Sequence, residues 1–167
     1  MNLRGTSALP VPDPGVTPGT GAGQRRLRPA LCRPLGDVNA AMRDLDADAE
    51  RVRALLDEGK LVGFNIGARD GGRATVRVLT QSIEHYLETG APLSLAWEQI
   101  FRFLIPHDKL FLRGPEIERA LNCDRGLVEN LIRAKRFTCV KQPRFGPGGS
   151  PMVTRESFQA FMKGRML

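Results

Sequence analysis

The stretch LNCDRGLVENLIRAKRF, residues 121–137, decides the fold of this chain. Its apolar residues recur at the spacing of one side of an α-helix: Val128, Leu131 and Ile132. Asp124 stands just before that predicted helix, which covers about 125–134, and can cap it by accepting a hydrogen bond from a free backbone N–H. The pattern predicts a helix that follows a tight turn at 122–124.

The same pattern occurs 76 residues earlier, in the stretch LDADAERVRALLDEGKL at 45–61. A shift of 76 superposes these positions without a gap: Leu45 on Leu121, Asp48 on Asp124, Val52 on Val128, Leu55 on Leu131, Leu56 on Ile132 and Leu61 on Phe137. Beyond a Gly-rich loop, where a length change is cheapest, the offset becomes 75 and places Ser82-Ile83 on Ser157-Phe158 and Tyr86-Leu87 on Phe161-Met162. The chain therefore contains two copies of one structural unit.

Each copy is predicted to contain a helix, a turn, a helix, a β-hairpin and a helix, so the fold class is α+β, mainly α. The second copy has a helix opened by Gly114 and Pro115, the helix 125–134, strands at 137–140 and 152–153, and a last helix capped by Thr154. The first copy has helices at 37–45 and 49–58, strands at 61–66 and 75–79, and a helix at 81–87 capped by Thr80.

Composition divides the chain into four segments. Residues 1–34 are rich in Pro and Gly, end in a basic cluster (Arg25, Arg26, Arg28 and Arg33) and are predicted to be a disordered tail. The first unit covers 35–88, an apolar linker helix covers 89–110, and the second unit covers 111–167. The absence of an apolar leader and of a long apolar run predicts a cytoplasmic protein with no membrane partner.

The linker contains an unusually apolar run from Ala91 to Ile105, for which Ser94 is a plausible cap. Its apolar residues extend nearly all around a helix, so burial is expected. The simpler interpretation is a helix that fixes the two units together. The alternative is a homodimer interface formed by Leu95, Trp97, Ile100, Phe101 and Leu104.

The order of elements, with LNCDR before VENLIRAKRF and VTRESFQAF after the hairpin, resembles the excisionase-like, MerR-type winged helix-turn-helix family. The first unit matches through VRALLDEGKL at 52–61 and LTQSIEHYL at 79–87. The resemblance implies two tandem winged helix-turn-helix units that bind double-stranded DNA. The second helix would enter the major groove and the hairpin, or wing, would lie on the backbone or in the minor groove. The role in transcription regulation or in recombination and excision of mobile DNA does not follow from the fold.

Charge separates the two units. Residues 111–167 carry eleven Lys or Arg against five Asp or Glu, whereas residues 36–87 carry seven against nine. Because cations near phosphates release counterions and acidic groups oppose binding, the second unit is the expected DNA reader. Its candidate contacts are Arg125, Gly126, Glu129, Asn130, Arg133, Lys135, Arg136, Lys141 and Arg144. The weaker candidates of the first unit are Arg51 and Arg53 on its second helix and Arg69, Arg73 and Arg77 in its wing.

Other functions are less consistent with the sequence. The three cysteines, Cys32, Cys123 and Cys139, have no metal-ligand spacing, and no nucleophile–base pair or carboxylate dyad is recognisable. We therefore expect no enzymatic activity, no cofactor and no small-molecule substrate. The runner-up function is a protein-interaction or assembly module, and a third is non-specific DNA binding in phage packaging or replication.

Overall fold

The computed structural model describes residues 33–67, 74–141 and 151–167. The predicted tail up to Cys32, the loop cations Arg69, Arg73 and Arg144 and the side chain of Lys141 lie outside the described residues. What is described is an α+β arrangement of helices and two small antiparallel sheets.

The first unit runs through six elements: β1 (Leu35–Asp37), α1 (Val38–Leu45), α2 (Ala49–Asp57), β2 (Gly63–Asn65), β3 (Val76–Leu79) and α3 (Thr80–Thr89). After α4 (Trp97–Leu104), the second unit repeats that order: β4 (Phe111–Leu112), α5 (Gly114–Leu121), α6 (Arg125–Arg133), β5 (Cys139–Lys141), β6 (Pro151–Thr154) and α7 (Arg155–Lys163). Both sheets place the third strand of the unit in the centre, as β1-β3-β2 (sheet A) and β4-β6-β5 (sheet B).

The repeat is conserved at the level of single backbone pairs. Leu35 pairs with Leu79 in sheet A, and Phe111 pairs with Thr154 in sheet B. Phe111 corresponds to Leu35 at the offset of 76, and Thr154 corresponds to Leu79 at the offset of 75. In the same way, the pair of Gly63 with Val78 corresponds to the pair of Cys139 with Val153. A serine also repeats, because Ser82 Oγ accepts from Val62 N at 3.1 Å and Ser157 Oγ accepts from Thr138 N at 2.6 Å. The internal repeat predicted from the sequence is confirmed.

Sequence patterns missed the first strand of each unit. β1 and β4 have only three and two residues, and they pair with β3 and β6, which lie far along the chain. Such short strands have no periodicity of their own, so only the tertiary pairing defines them. The predicted cap Thr80 is also wrong, since α3 begins at Thr80 and Leu79 is its N-cap. Thr154 does cap α7, with its side chain accepting from Ser157 N at 3.3 Å.

The linker helix is shorter and more one-sided than predicted. α4 begins at Trp97, and its N-cap is Ala96 rather than Ser94. The Gln99 side chain accepts the Ala96 N–H at 3.0 Å. Burial all around the helix is wrong, because Phe103 is 40% exposed. Loop residues therefore account for the first part of the apolar run, 91–96.

α4 packs inside the chain. Its buried residues, Ile100, Phe101 and Leu104, belong to one hydrophobic cluster that includes Leu35 and Phe64 of the first unit and Leu131 and Phe158 of the second. A smaller cluster under the first unit contains Val52, Leu55 and Val78, among others. The linker thus fixes the two units together, and Ile100, Phe101 and Leu104 offer no surface to a second copy.

Candidate nucleic-acid interface

The turn between α5 and α6 has a tightly defined backbone. Asn122 ends α5 in the left-handed conformation with φ of 48°, and Cys123 N donates to the Glu118 carbonyl at 3.1 Å. Asp124 then caps α6 by accepting from Leu127 N at 2.8 Å, as the sequence predicts. Because Val128 and Leu131 are buried against the core, the opposite side of α6 must point outward.

That outer side of α6 carries the predicted contact residues. All five are exposed: Arg125, Gly126, Glu129, Asn130 and Arg133. Arg125 Nε donates to Glu129 Oε1 at 2.7 Å, and Arg133 Nη1 donates to Asn130 Oδ1 at 3.1 Å. Exposed pairs of this kind contribute little stability, so a stronger acceptor or donor on a ligand readily replaces them.

Cations continue beyond the end of α6. Lys135 is exposed and takes a left-handed conformation with φ of 55°, at the position that Gly59 occupies in the first unit. Arg136 is half-buried, and its backbone N–H donates to the Leu131 carbonyl at 3.0 Å. Lys141 lies at the end of β5. The basic residues therefore extend from α6 toward sheet B.

The corresponding surface of α2 carries the opposite pattern of charge. Arg51 and Arg53 are exposed, as expected, but Arg53 stands where Glu129 stands in α6, and Asp57 stands where Arg133 does. At the end of α2, Lys60 Nζ lies 2.7 Å from Glu58 Oε2, and the hydrogen bond and charge of Lys60 lower the pKa of that carboxyl. The α2 surface is therefore a poorer partner for phosphates than the α6 surface.

Arg77 has a role that the sequence did not reveal. We expected it among the wing cations, but it lies in β3, and its Nε donates to the Asn122 carbonyl at 3.2 Å. Arg33 Nη1 donates to the Asn122 side-chain oxygen. Arg77 of the first unit and Arg33, at the end of the segment before it, therefore hold the turn that precedes α6. The sequence predicted the turn but gave no signal for these contacts, because they join residues 45 and 89 positions apart in the chain.

Cys123, in the same turn, is unsuited to nucleophilic chemistry. Burial and the charge of Asp124 together raise the pKa of its thiol to about 11, although the charge of Arg77 acts to lower it. The thiol therefore stays protonated at neutral pH. Cys139 is exposed on β5, and burial also raises the pKa of its thiol.

In 33–67, 74–141 and 151–167, no group of three or more His, Cys, Asp or Glu side chains is arranged to hold a metal ion. Over the same ranges, every helix is too short or too polar to cross a membrane.

Comparison of the chain with family models, with curated proteins and with solved structures finds no significant match. The resemblance to winged helix-turn-helix proteins therefore rests on the sequence motifs and on the element order of the two units.

Proposed function

We propose that the protein binds double-stranded DNA through α6, as a tandem pair of winged helix-turn-helix units. One observation carries the proposal: α6 buries one side in the core and presents Arg125, Asn130 and Arg133 together on the other. An α-helix with such a surface fits the major groove of B-DNA. The helix α5 and the turn before α6 hold that surface at a fixed angle.

The residues of this surface divide into two kinds of contact. Arg125 and Asn130 are the side-chain types that bind guanine and adenine edges through two hydrogen bonds, and they are the base readers of the proposal. Arg133, Lys135 and Arg136 contact phosphates, which position the protein without reading sequence. Glu129 releases Arg125 on binding, or accepts from a cytosine amino group.

The first unit has a supporting part in this proposal. Its α2 surface carries Glu50 and Asp57 where α6 carries Gly126 and Arg133, so phosphate contacts there are opposed. Arg33 and Arg77 hold the turn before α6 from the side of the first unit. The unit therefore orients the reading helix, and contributes to DNA binding at most through its wing.

Fluorescence anisotropy with labelled duplex DNA tests the proposal. For Arg133→Glu we expect weaker binding to all sequences and a salt slope reduced by about 1, because one phosphate contact is lost. For Arg125→Ala we expect a loss of about 1–3 kcal/mol on a selected site and a relaxed preference at one base pair. Sequencing of selected duplexes supplies that site.

The matched control is Arg102→Glu, the same charge reversal at an exposed arginine on α4. If Arg102→Glu and Arg133→Glu weaken binding equally, the net charge and not α6 is responsible. Undetectable binding of the parent protein at low salt would overturn the proposal and favour a protein-interaction module.

DNA bending separates the two cellular roles that we propose, regulation of transcription and an architectural part in excision. The bend is measured from the gel mobility of protein–DNA complexes in which the binding site lies at different positions along fragments of equal length. A strong bend supports the architectural role, and an unbent site that overlaps a promoter supports regulation.

A further inference from the structure

The two sheets differ in what covers their outer faces. In sheet A, the face turned away from the unit's own core carries Leu35, Phe64 and Arg77. Leu35 and Phe64 are fully buried. Phe64 packs edge-on against Trp97 with ring centroids 6.4 Å apart, and Arg77 binds Asn122 of the turn before α6. α4 and the second unit therefore cover this face.

The same positions in sheet B form an apolar surface that is only partly covered, with two residues exposed and Met152 half-buried. They are Phe111, Val140 and Met152, and Leu110 adjoins them. Phe111 and Val140 are each 40% exposed, and Leu110 is 73% exposed. Lys109 and Arg113 border the surface, and a groove joins these two cations to Phe111 and Met152. We call these six residues the open face.

The chain itself shows what such a face binds. The α5–α6 turn that lies on sheet A has a counterpart of the same geometry in the α1–α2 turn, where Asp46 is left-handed with φ of 51°, against 48° for Asn122. Asp48 caps α2 by accepting from Arg51 N at 2.7 Å, just as Asp124 caps α6. The α1–α2 turn is exposed at Asp46 and Asp48.

We propose that the open face binds the α1–α2 turn of a second copy, so that copies associate head to tail. Charge complementarity supports this occupant. Lys109 stands at the position of Arg33 and Asp46 at that of Asn122, so the hydrogen bond between Arg33 and Asn122 becomes an ion pair between copies. Lys109 is 62% exposed, and to pair with Asp46 of a second copy its ammonium exchanges the Glu116 carboxylate, 2.8 Å away, for that partner.

A symmetric contact between two open faces is disfavoured, because it would bring Lys109 and Arg113 of both copies together. The head-to-tail contact instead joins a basic edge to an acidic turn. A head-to-tail dimer has an unoccupied open face at one end and an unoccupied α1–α2 turn at the other, so further copies can add to both ends. The contact does not use α6, and the inference does not depend on DNA binding.

Sedimentation velocity without DNA tests the proposal with two variants that each block one side. Phe111→Lys blocks the open face, and Asp46→Lys blocks the turn, at a left-handed position where the chain accepts Lys elsewhere, at Lys135. The parent protein should associate at concentrations up to about 1 mM, as small interfaces do. Each variant alone should associate at least roughly tenfold more weakly. Their mixture should form one-to-one dimers and nothing larger, because it retains one intact face and one intact turn.

The matched control is Phe103→Lys on α4, which replaces another phenylalanine that is 40% exposed and should leave association unchanged. Circular dichroism checks the fold of each variant, and Val140→Lys blocks the same face if Phe111→Lys does not fold. A parent protein that stays monomeric up to about 1 mM overturns the proposal. So does a mixture of the two variants that stays monomeric, because the head-to-tail contact leaves that mixture one intact face and one intact turn. Association of Asp46→Lys alone as strongly as the parent overturns it as well, and indicates a symmetric contact between open faces.

Discussion

An acidic side chain holds the start of the first helix of each unit, but by a different hydrogen bond. Asp37 caps α1 directly by accepting from Ala40 N at 2.7 Å. The corresponding residue of the second unit is Arg113, and there Glu116 reaches back to accept from Arg113 N at 2.8 Å. The other carboxylate oxygen of Glu116 lies 2.8 Å from Lys109 Nζ and 3.1 Å from His107 Nε2. One acidic residue therefore both caps α5 and binds the segment that precedes β4.

These contacts make the stability of the second unit depend on pH. Burial acts to raise the pKa of Glu116, but the hydrogen bond from Lys109, that from the Arg113 backbone and the nearby positive charges together lower it. A lowered pKa stabilises the fold above the carboxyl's unfolded-state pKa, and that contribution is lost as the pH falls through the folded-state value. We predict that Glu116→Gln lowers the free energy of unfolding by about 1 kcal/mol at neutral pH and by less in acid. Urea unfolding followed by circular dichroism at both pH values measures it.

A double-mutant cycle identifies the partner in that effect. Lys109→Ala should cost less in the Glu116→Gln background than in the parent at neutral pH, and the coupling should disappear in acid. A coupling that is equal at both pH values would show that the charge of Glu116 is not responsible.

At the scale of single elements, α4 shows what one side of a short helix contributes. The Phe101 ring lies between Trp97 and Phe158, whose ring centroids are 5.9 Å and 6.0 Å from its own. The guanidinium carbon of Arg155 lies 5.0 Å from the centroid of the Phe101 ring. Phe103, two residues on, is 40% exposed. One phenylalanine of α4 is thus buried and the other is exposed. The apolar run in the sequence did not indicate which was which.

We predict that Phe101→Ala lowers the free energy of unfolding by about 3–5 kcal/mol, because it removes a buried ring at the junction of the two units. Phe103→Ala, on the same helix, should change it by about 0.5 kcal/mol or less. Chemical denaturation of both variants makes the comparison. Equal losses would mean that α4 acts through helix propensity and not through the packing of Phe101.

At the scale of the whole molecule, the last residues of the chain extend sheet A. Met166 forms an antiparallel bridge with Phe64, Asn65 N donates to the Arg165 carbonyl at 2.9 Å, and Leu167 N donates to the Gly63 carbonyl at 2.9 Å. The segment after α7 thereby covers the edge of β2 and joins the second unit to the first. No periodic pattern marks these few residues, so the sequence did not reveal the contact.

Deletion of residues 165–167 should release that edge. We predict that the Asn65 amide then exchanges with solvent faster, because it loses its acceptor, whereas the Ile66 amide, which donates to the Thr75 carbonyl at 2.9 Å, keeps its protection. Amide exchange followed by NMR resolves the two neighbours. Unchanged exchange at Asn65 would show that the terminal segment does not pair with β2 in solution.

The sequence by itself determined the repeat, most helix bounds, the caps Asp124 and Thr154 and the exposure of the α6 candidates. All of these depend on contacts between residues close in the chain, which leave a periodic pattern. Only the tertiary structure decided the strands β1 and β4, the burial of one side of α4, the binding of Asn122 by Arg33 and Arg77, and the exposed state of Phe111 and Val140. Each of these depends on which distant surface lies opposite, and two units with the same local pattern acquire different neighbours once they pack together.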